Sequence, residues 1–209
     1  MNLRFGLLWP FRNPTFNRVP WQDLYRSHMD LIVDSEAMGY DNAWLTEHHF
    51  VDDGYSPSLL PIAAGIATRT SRIRIGTFLI LLPLHNPVRI AEDTATVDLL
   101  SNGRFDLGVG LGYRREEFAD QGISHTERGA RLNEGIALIQ RLLSDEEVTF
   151  DGKFSTSIKF ASCRRPCSVH IRRSGSAPSH PRPSNAPPRW ASISRSSARP
   201  PWSSTTMPA

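Results

Sequence analysis

The chain has 209 residues and a formal charge of +3, yet residues 1–160 hold all 21 acidic side chains and 16 of the 24 basic ones, while residues 161–209 hold 8 Arg and no Lys, Asp or Glu. The last 49 residues include 12 Ser, 9 Pro, 8 Arg and 6 Ala, too little apolar mass for a core, whereas the first 160 have globular composition. The longest mainly apolar run, residues 75–84, is broken by Gly76, Thr77 and Pro83 and falls short of a bilayer span; the N-terminus lacks a secretory h-region, and both cysteines, Cys163 and Cys167, sit in the tail, so the expectation is a cytoplasmic protein without a membrane segment and without thiol chemistry in its domain.

Along the first 160 residues, short β-type runs alternate with amphipathic helical ones, the order of parallel α/β units. Residues 3–8 predict the first strand. Residues 21–38 place Leu24, His28, Leu31, Ser35 and Met38 at helical spacing, with Gly39 as a stop. Strands are predicted at 42–46, at 73–81 in the apolar style of a doubly buried strand, and at 105–110. Helices are predicted at 59–68 and 88–100, the latter ending in the stop Ser101-Asn102-Gly103. Ser124 and Glu127 have capping-box spacing ahead of a helix with Leu132, Ile136, Ile139 and Leu143 on one face.

Four such units fit either an open doubly wound sheet or half of an eight-fold barrel. Both folds place their chemistry at the C-terminal ends of the strands, so those residues carry the functional reading. After the second strand comes Thr46-Glu47-His48-His49-Phe50. Adjacent histidines point to opposite sides of an extended chain, and structural hydrogen bonding through their two ring nitrogens is one reading. A metal site is another. It would use His48 or His49 with Glu47 and His85, although no His-Glu-x-x-His spacing supports it, and it would make the protein a metal-dependent hydrolase. The fourth strand ends Gly108-Val109-Gly110-Leu111-Gly112. A dinucleotide fingerprint would need glycine where Tyr113 stands, and would follow a first strand. The glycines offer either a tight turn or backbone that a flat ring can approach.

Four segments together resemble the luciferase-like flavin monooxygenases, the family that includes bacterial luciferase: residues 46–50; Gly76-Thr77 with Leu82-Pro83; Asn86-Pro87-Val88-Arg89-Ile90-Ala91-Glu92-Asp93; and Asp98-Leu99-Leu100-Ser101-Asn102-Gly103-Arg104-Phe105-Asp106-Leu107-Gly108-Val109-Gly110. The resemblance runs from Leu3 to about Phe154. It implies a TIM (β/α)8 barrel, of which residues 1–154 are the N-terminal half, and oxygenation of a small organic substrate by reduced flavin and O2, with the cofactor doing the oxygen chemistry. It assigns proton transfer near the flavin to His48, with Glu47 beside it. Phe78-Leu79 matches a non-prolyl cis peptide beneath the flavin ring in many members, and Gly110 would let the ring approach. Bacterial luciferase has Cys and Arg where this chain has Gly110 and Leu111, so light emission is not implied. FMN is the first choice of cofactor and a deazaflavin the alternative, with a flavin reductase as a source of reduced flavin and self-association as a further expectation.

A full barrel of this kind has eight strands, and residues 155–209 read as coil. A reading shifted by one nucleotide from Ser155 onward is compatible with Pro-Pro-Ile-Trp-Val-Gly as a fifth strand and Ala-Ile-Glu-Arg-Ala-Ala-Thr-Leu-Gly as a helix. The tail is therefore expected to be an out-of-frame, disordered segment. It would leave strands one and four as open edges and make an inactive half-barrel fragment the alternative to an enzyme. A nucleic-acid arm is disfavoured, because scattered Arg with only Trp190 and Trp202 offers non-specific charge alone. Cys163 and Cys167, with only His170 and His180 near, read as free thiols rather than a zinc knuckle.

Overall fold

The computed structural model describes residues 3–144, 147–161 and 170–174. Strand β1 (Gly6–Trp9), helix α1 (Trp21–Ala37), β2 (Asn42–Leu45), α2 (Leu59–Arg69), β3 (Arg74–Thr77), α3 (Pro87–Leu100) and β4 (Phe105–Gly110) follow in turn. After them come a short helix α4 (Arg115–Asp120), helix α5 (Arg128–Ser144), a hairpin of β5 (Glu147–Asp151) and β6 (Thr156–Ala161), and β7 (His170–Ser174).

The sheet order is β1-β2-β3-β4-β7, every neighbouring pair parallel. Sequential order decides the architecture. Right-handed crossovers that always step in one direction put every helix on the same face, whereas a doubly wound sheet reverses direction and covers both. The sheet is a barrel segment.

Alternation on the strands matches this arrangement. Ala43 and Leu45 on β2, Ile75 on β3, and Leu107 and Val109 on β4 are buried in one cluster with Ile32 of α1, Ile62 and Ile66 of α2, Ile90 of α3, and Leu138 and Leu142 of α5. The intervening positions face the barrel interior. There the Trp44 ring lies against Gly76, where any Cβ would collide with it, so glycine is required on β3 by close approach. Lower in the interior, Arg74 Nε and Nη2 each donate to Asp106 at 2.9 Å, a bidentate pair whose carboxylate is buried.

The Ser-Asn-Gly-Arg stretch is structural. Asn102 and Gly103 both take left-handed backbone, with φ of 54° and 80°, which ends α3 and returns the chain to the sheet. Arg104 then donates to the carbonyls of Ala67, Thr70, Ile73 and Ser101, of which Ala67 and Thr70 are acceptors at the C-terminal end of α2 and Ser101 caps α3. Asn86 caps α3 by accepting from Val88 N at 2.9 Å, with Pro87 in the first turn.

Several expectations are corrected. In α1 the buried stripe is Leu24, Ile32 and Ser35; Leu31 and Met38 are 51% and 76% exposed. The capping box is absent: Ser124 Oγ pairs with Thr126 Oγ1 at 2.8 Å, and α5 begins at Arg128 after a 3-10 turn. The third strand is shorter than residues 73–81. Past Thr77 its ladder to β4 stops, Thr77 Oγ1 donates to Gly108 O and accepts from Gly108 N, both at 2.8 Å, and the pairing resumes at Ile80 and Val109. Strand four is not an edge, because β7 pairs with it from Asp106 to Gly110. Two strands, β6 and β7, thus fall inside the segment read as coil. Residues 162–169 and 175–209, with both cysteines and most of the expected out-of-frame tail, lie outside the described residues. Among the described residues no helix is long and apolar enough to cross a membrane.

Candidate functional site

The site is built where β2, β3 and β4 end. Beyond Leu45 the chain turns back on itself, with Thr46 Oγ1 donating to the Tyr55 hydroxyl at 2.6 Å and Ser56 Oγ donating to Thr46 O at 2.7 Å. These bonds fix the Glu-His-His run at the mouth of the barrel segment. Two buried carboxylates then separate the adjacent histidines.

Glu47 is 4% exposed. Its Oε1 lies 2.7 Å from both His49 Nε2 and His85 Nε2, and its Oε2 accepts from Leu81 N at 3.1 Å. Burial pushes this carboxyl up, but the bonds from His49 and His85 outweigh it and hold Glu47 below its ordinary value. His49 is correspondingly raised, chiefly by its bond to Glu47 and against its own burial.

His48 turns the other way. Its Nδ1 lies 2.9 Å from Oε1 of Glu117 on α4, and the same oxygen accepts from His49 N at 3.0 Å. Glu117 is fully buried, with Arg114 Nη1 at 3.5 Å. Tyr55 and Tyr113 meet the His48 ring edge-on, with centroids at 4.8 and 5.8 Å. His48 Nε2 has no protein partner among the described residues.

The Phe78–Leu79 peptide is cis. Phe78, 57% exposed, follows β3 at the same end of the sheet and lies edge-on to Trp44 at 6.3 Å. A Cβ on Gly110 would run into Leu79 Cδ1 and lie 3.3 Å from Leu79 Cβ, so the glycine makes room for the Leu79 side chain.

The sequence-predicted Glu47, His48, Phe78, Leu79 and Gly110 therefore share one end of the sheet. Of the two metal sets the sequence offers, His48 or His49 with Glu47 and His85, the one through His48 is not what converges. Glu47, His49 and His85 are, with ligand atoms within 4.8 Å of one another, while His48 belongs to Glu117. Sequence reasoning missed Glu117 and Arg114. They lie in the charge run Arg114-Arg115-Glu116-Glu117, which reads as a solvated face, and only the burial of Phe118 beside them hints otherwise.

Chemically, this mouth offers an imidazole with one free nitrogen, apolar surface from Phe78, and two carboxylates that are shielded from solvent. That set suits proton transfer beside a flat, mainly apolar ring.

Comparison with known proteins agrees with the fold. The family described as luciferase-like monooxygenase matches residues 3–183. The F420-dependent glucose-6-phosphate dehydrogenase of Kineococcus radiotolerans is 38% identical over 134 residues, covering 60% of this chain and 39% of that protein. Monooxygenase RslO1 from Streptomyces bottropensis superposes with a TM-score of 0.73 at 27% identity, covering 82% of this chain and 53% of its own. The oxygenating constituent of 3,6-diketocamphane monooxygenase from Pseudomonas putida, in complex with FMN, gives a TM-score of 0.71 at 19% identity, covering 82% and 51%. This chain spans about half the length, or less, of the relatives it matches.

Proposed function

Since this chain belongs to the luciferase-like monooxygenase family, we propose that it forms part of a flavin-dependent oxidoreductase site, with His48 as the proton-handling catalytic residue. A small organic substrate and O2 are the reactants in this reading. The carrying observation is the His48 ring, held through Nδ1 by Glu117 at 2.9 Å and leaving Nε2 without a protein partner among the described residues.

The residues present fit a flavin. Phe78 and Leu79, with Gly110 behind Leu79, supply the apolar floor a tricyclic ring needs, and Glu47 holds that floor in place through Leu81 N. Reduced flavin, when bound, supplies the electrons for oxygen chemistry. His48 would give or take a proton at Nε2, and the apolar walls would limit water. In barrels of this type the phosphate end commonly uses loops after strands seven and eight, beyond the span shared with the relatives. FMN is the first choice, a reductase its source of reduced flavin, and the cytoplasm the setting. A deazaflavin is the alternative cofactor, in line with the F420-dependent relative; it would make the reaction a hydride transfer without O2. Pairing with a second copy would cover the open barrel face.

Titrating the purified protein with FMN and separately with F420, followed by fluorescence, tests this reading. Saturable binding of either supports it and names the cofactor. No binding of either, with a molten circular-dichroism spectrum, would instead show an inactive half-barrel. One observation favours a second reading, a metal-dependent hydrolase: the convergence of Glu47, His49 and His85, a donor set that suits zinc or iron. Stoichiometric metal in elemental analysis of the purified protein would favour it over the flavin reading.

A further inference from the structure

The neighbouring histidines are sorted by two different carboxylates, and the one that holds His48 has no evident packing role. Glu117 Oε1 accepts from two donors, His48 Nδ1 at 2.9 Å and His49 N at 3.0 Å, and forms an ion pair with Arg114 Nη1 at 3.5 Å. Its second oxygen, Oε2, is buried without a hydrogen-bond partner. An unpartnered buried carboxylate oxygen is costly, and such a group calls for an explanation beyond stability. An apolar side chain of the same length would avoid that cost.

We propose that Glu117 is the positioning residue of this site, fixing the His48 ring with its Nδ1 proton directed inward and its Nε2 presented to the mouth.

The chemistry follows from what each group can do. A carboxylate only accepts, so the short contact requires the proton on Nδ1. In the neutral ring the other nitrogen then carries the lone pair. That orientation is what a general base or hydrogen-bond acceptor at the mouth needs. A ring with the opposite tautomer would turn a donor toward the mouth and set two acceptors against each other at Glu117. Tyr55 and Tyr113 restrain the ring plane from its sides, but neither selects a tautomer. Glu47 cannot substitute, because its Oε1 is taken by His49 and His85. The bond from His49 N to the same Glu117 oxygen ties α4 to the Glu-His-His backbone, so carboxylate and ring keep register.

The inference rests on His48 being the proton-handling group, but its test needs no cofactor. The full chain, labelled with 15N, is examined by long-range 1H–15N correlation of the imidazoles at a pH where His48 is neutral. The wild type should show His48 with a protonated Nδ1 and a bare Nε2. Glu117→Met removes both oxygens at similar length and should shift His48 to the Nε2-protonated form. Glu117→Gln keeps an acceptor oxygen and should retain the Nδ1-protonated form. A wild-type ring protonated on Nε2 overturns the proposal, as does an unchanged tautomer in folded Glu117→Met or a lost one in folded Glu117→Gln. If Glu117→Met does not fold, the wild type and Glu117→Gln still decide. Absence of flavin binding alongside the expected tautomers would count against the functional reading alone and leave the positioning role intact.

Discussion

His48 and Glu117 are 69 residues apart in the chain, yet His48 Nδ1 and Glu117 Oε1 meet at 2.9 Å in the mouth of the barrel segment. The contact joins the end of β2 to the short helix after β4. It gives a single direction to a histidine whose sequence neighbours leave it ambiguous.

The second carboxylate predicts a pH signature. Glu47 is held below its ordinary value, with burial opposing and the bonds from His49 and His85 prevailing. Its contribution to stability is full above the unfolded value near 4.3 and drains as pH falls through the lower folded value. His49 is raised by its bond to Glu47, so its contribution is full below about 6.5 and is lost as pH rises through the higher folded value. Both are therefore complete between about pH 4.3 and 6.5. Thermal midpoints measured across pH should peak in that window, and Glu47→Gln should flatten the peak; an identical profile in the variant would refute the assignment.

Gly110→Ala should act through Leu79. The added Cβ would collide with Leu79 Cδ1 and crowd its Cβ at 3.3 Å. Overpacking of this sort costs about 1–3 kcal/mol, and the displaced Leu79 should also weaken flavin binding. A urea titration and an FMN titration read the two effects. Wild-type stability together with wild-type affinity would show that the glycine plays no part here.

Arg104→Lys tests a structural reading of a family-like motif. Arg104 serves the carbonyls of Ala67, Thr70, Ile73 and Ser101 with three different nitrogens. A lysine ammonium cannot reproduce that fork. The substitution should lower stability by about 2 kcal/mol in chemical denaturation. Because the site lies at the opposite end of the sheet, the folded variant should bind flavin as the wild type does.

Much of the architecture is legible in the sequence, because alternation on β2 and β4 and the Ser-Asn-Gly stop are local signals. The α1 stripe was less so. Leu31 and Met38 share helical spacing with Leu24, but the sheet selects Ile32 instead, and spacing alone does not say which side of a helix meets its neighbour. At the site, residues 46–50 are visible as a cluster, whereas the sorting of His48 to Glu117 and His49 to Glu47 depends on where α4 and the Leu81 backbone fall. Glu117 left no local signal. Its charge run looks solvated until Phe118, fully buried, draws α4 against the barrel mouth.

The proposed flavin site has its most direct test in equilibrium titration of the full chain with FMN, following flavin fluorescence, alongside Phe78→Asp and Gly110→Ala. Saturable binding that weakens at least about tenfold in Phe78→Asp, an affinity change of about 1.4 kcal/mol, is the predicted result. Binding of neither FMN nor F420, or equal affinity in wild type and both folded variants, would contradict a flavin seated beside His48.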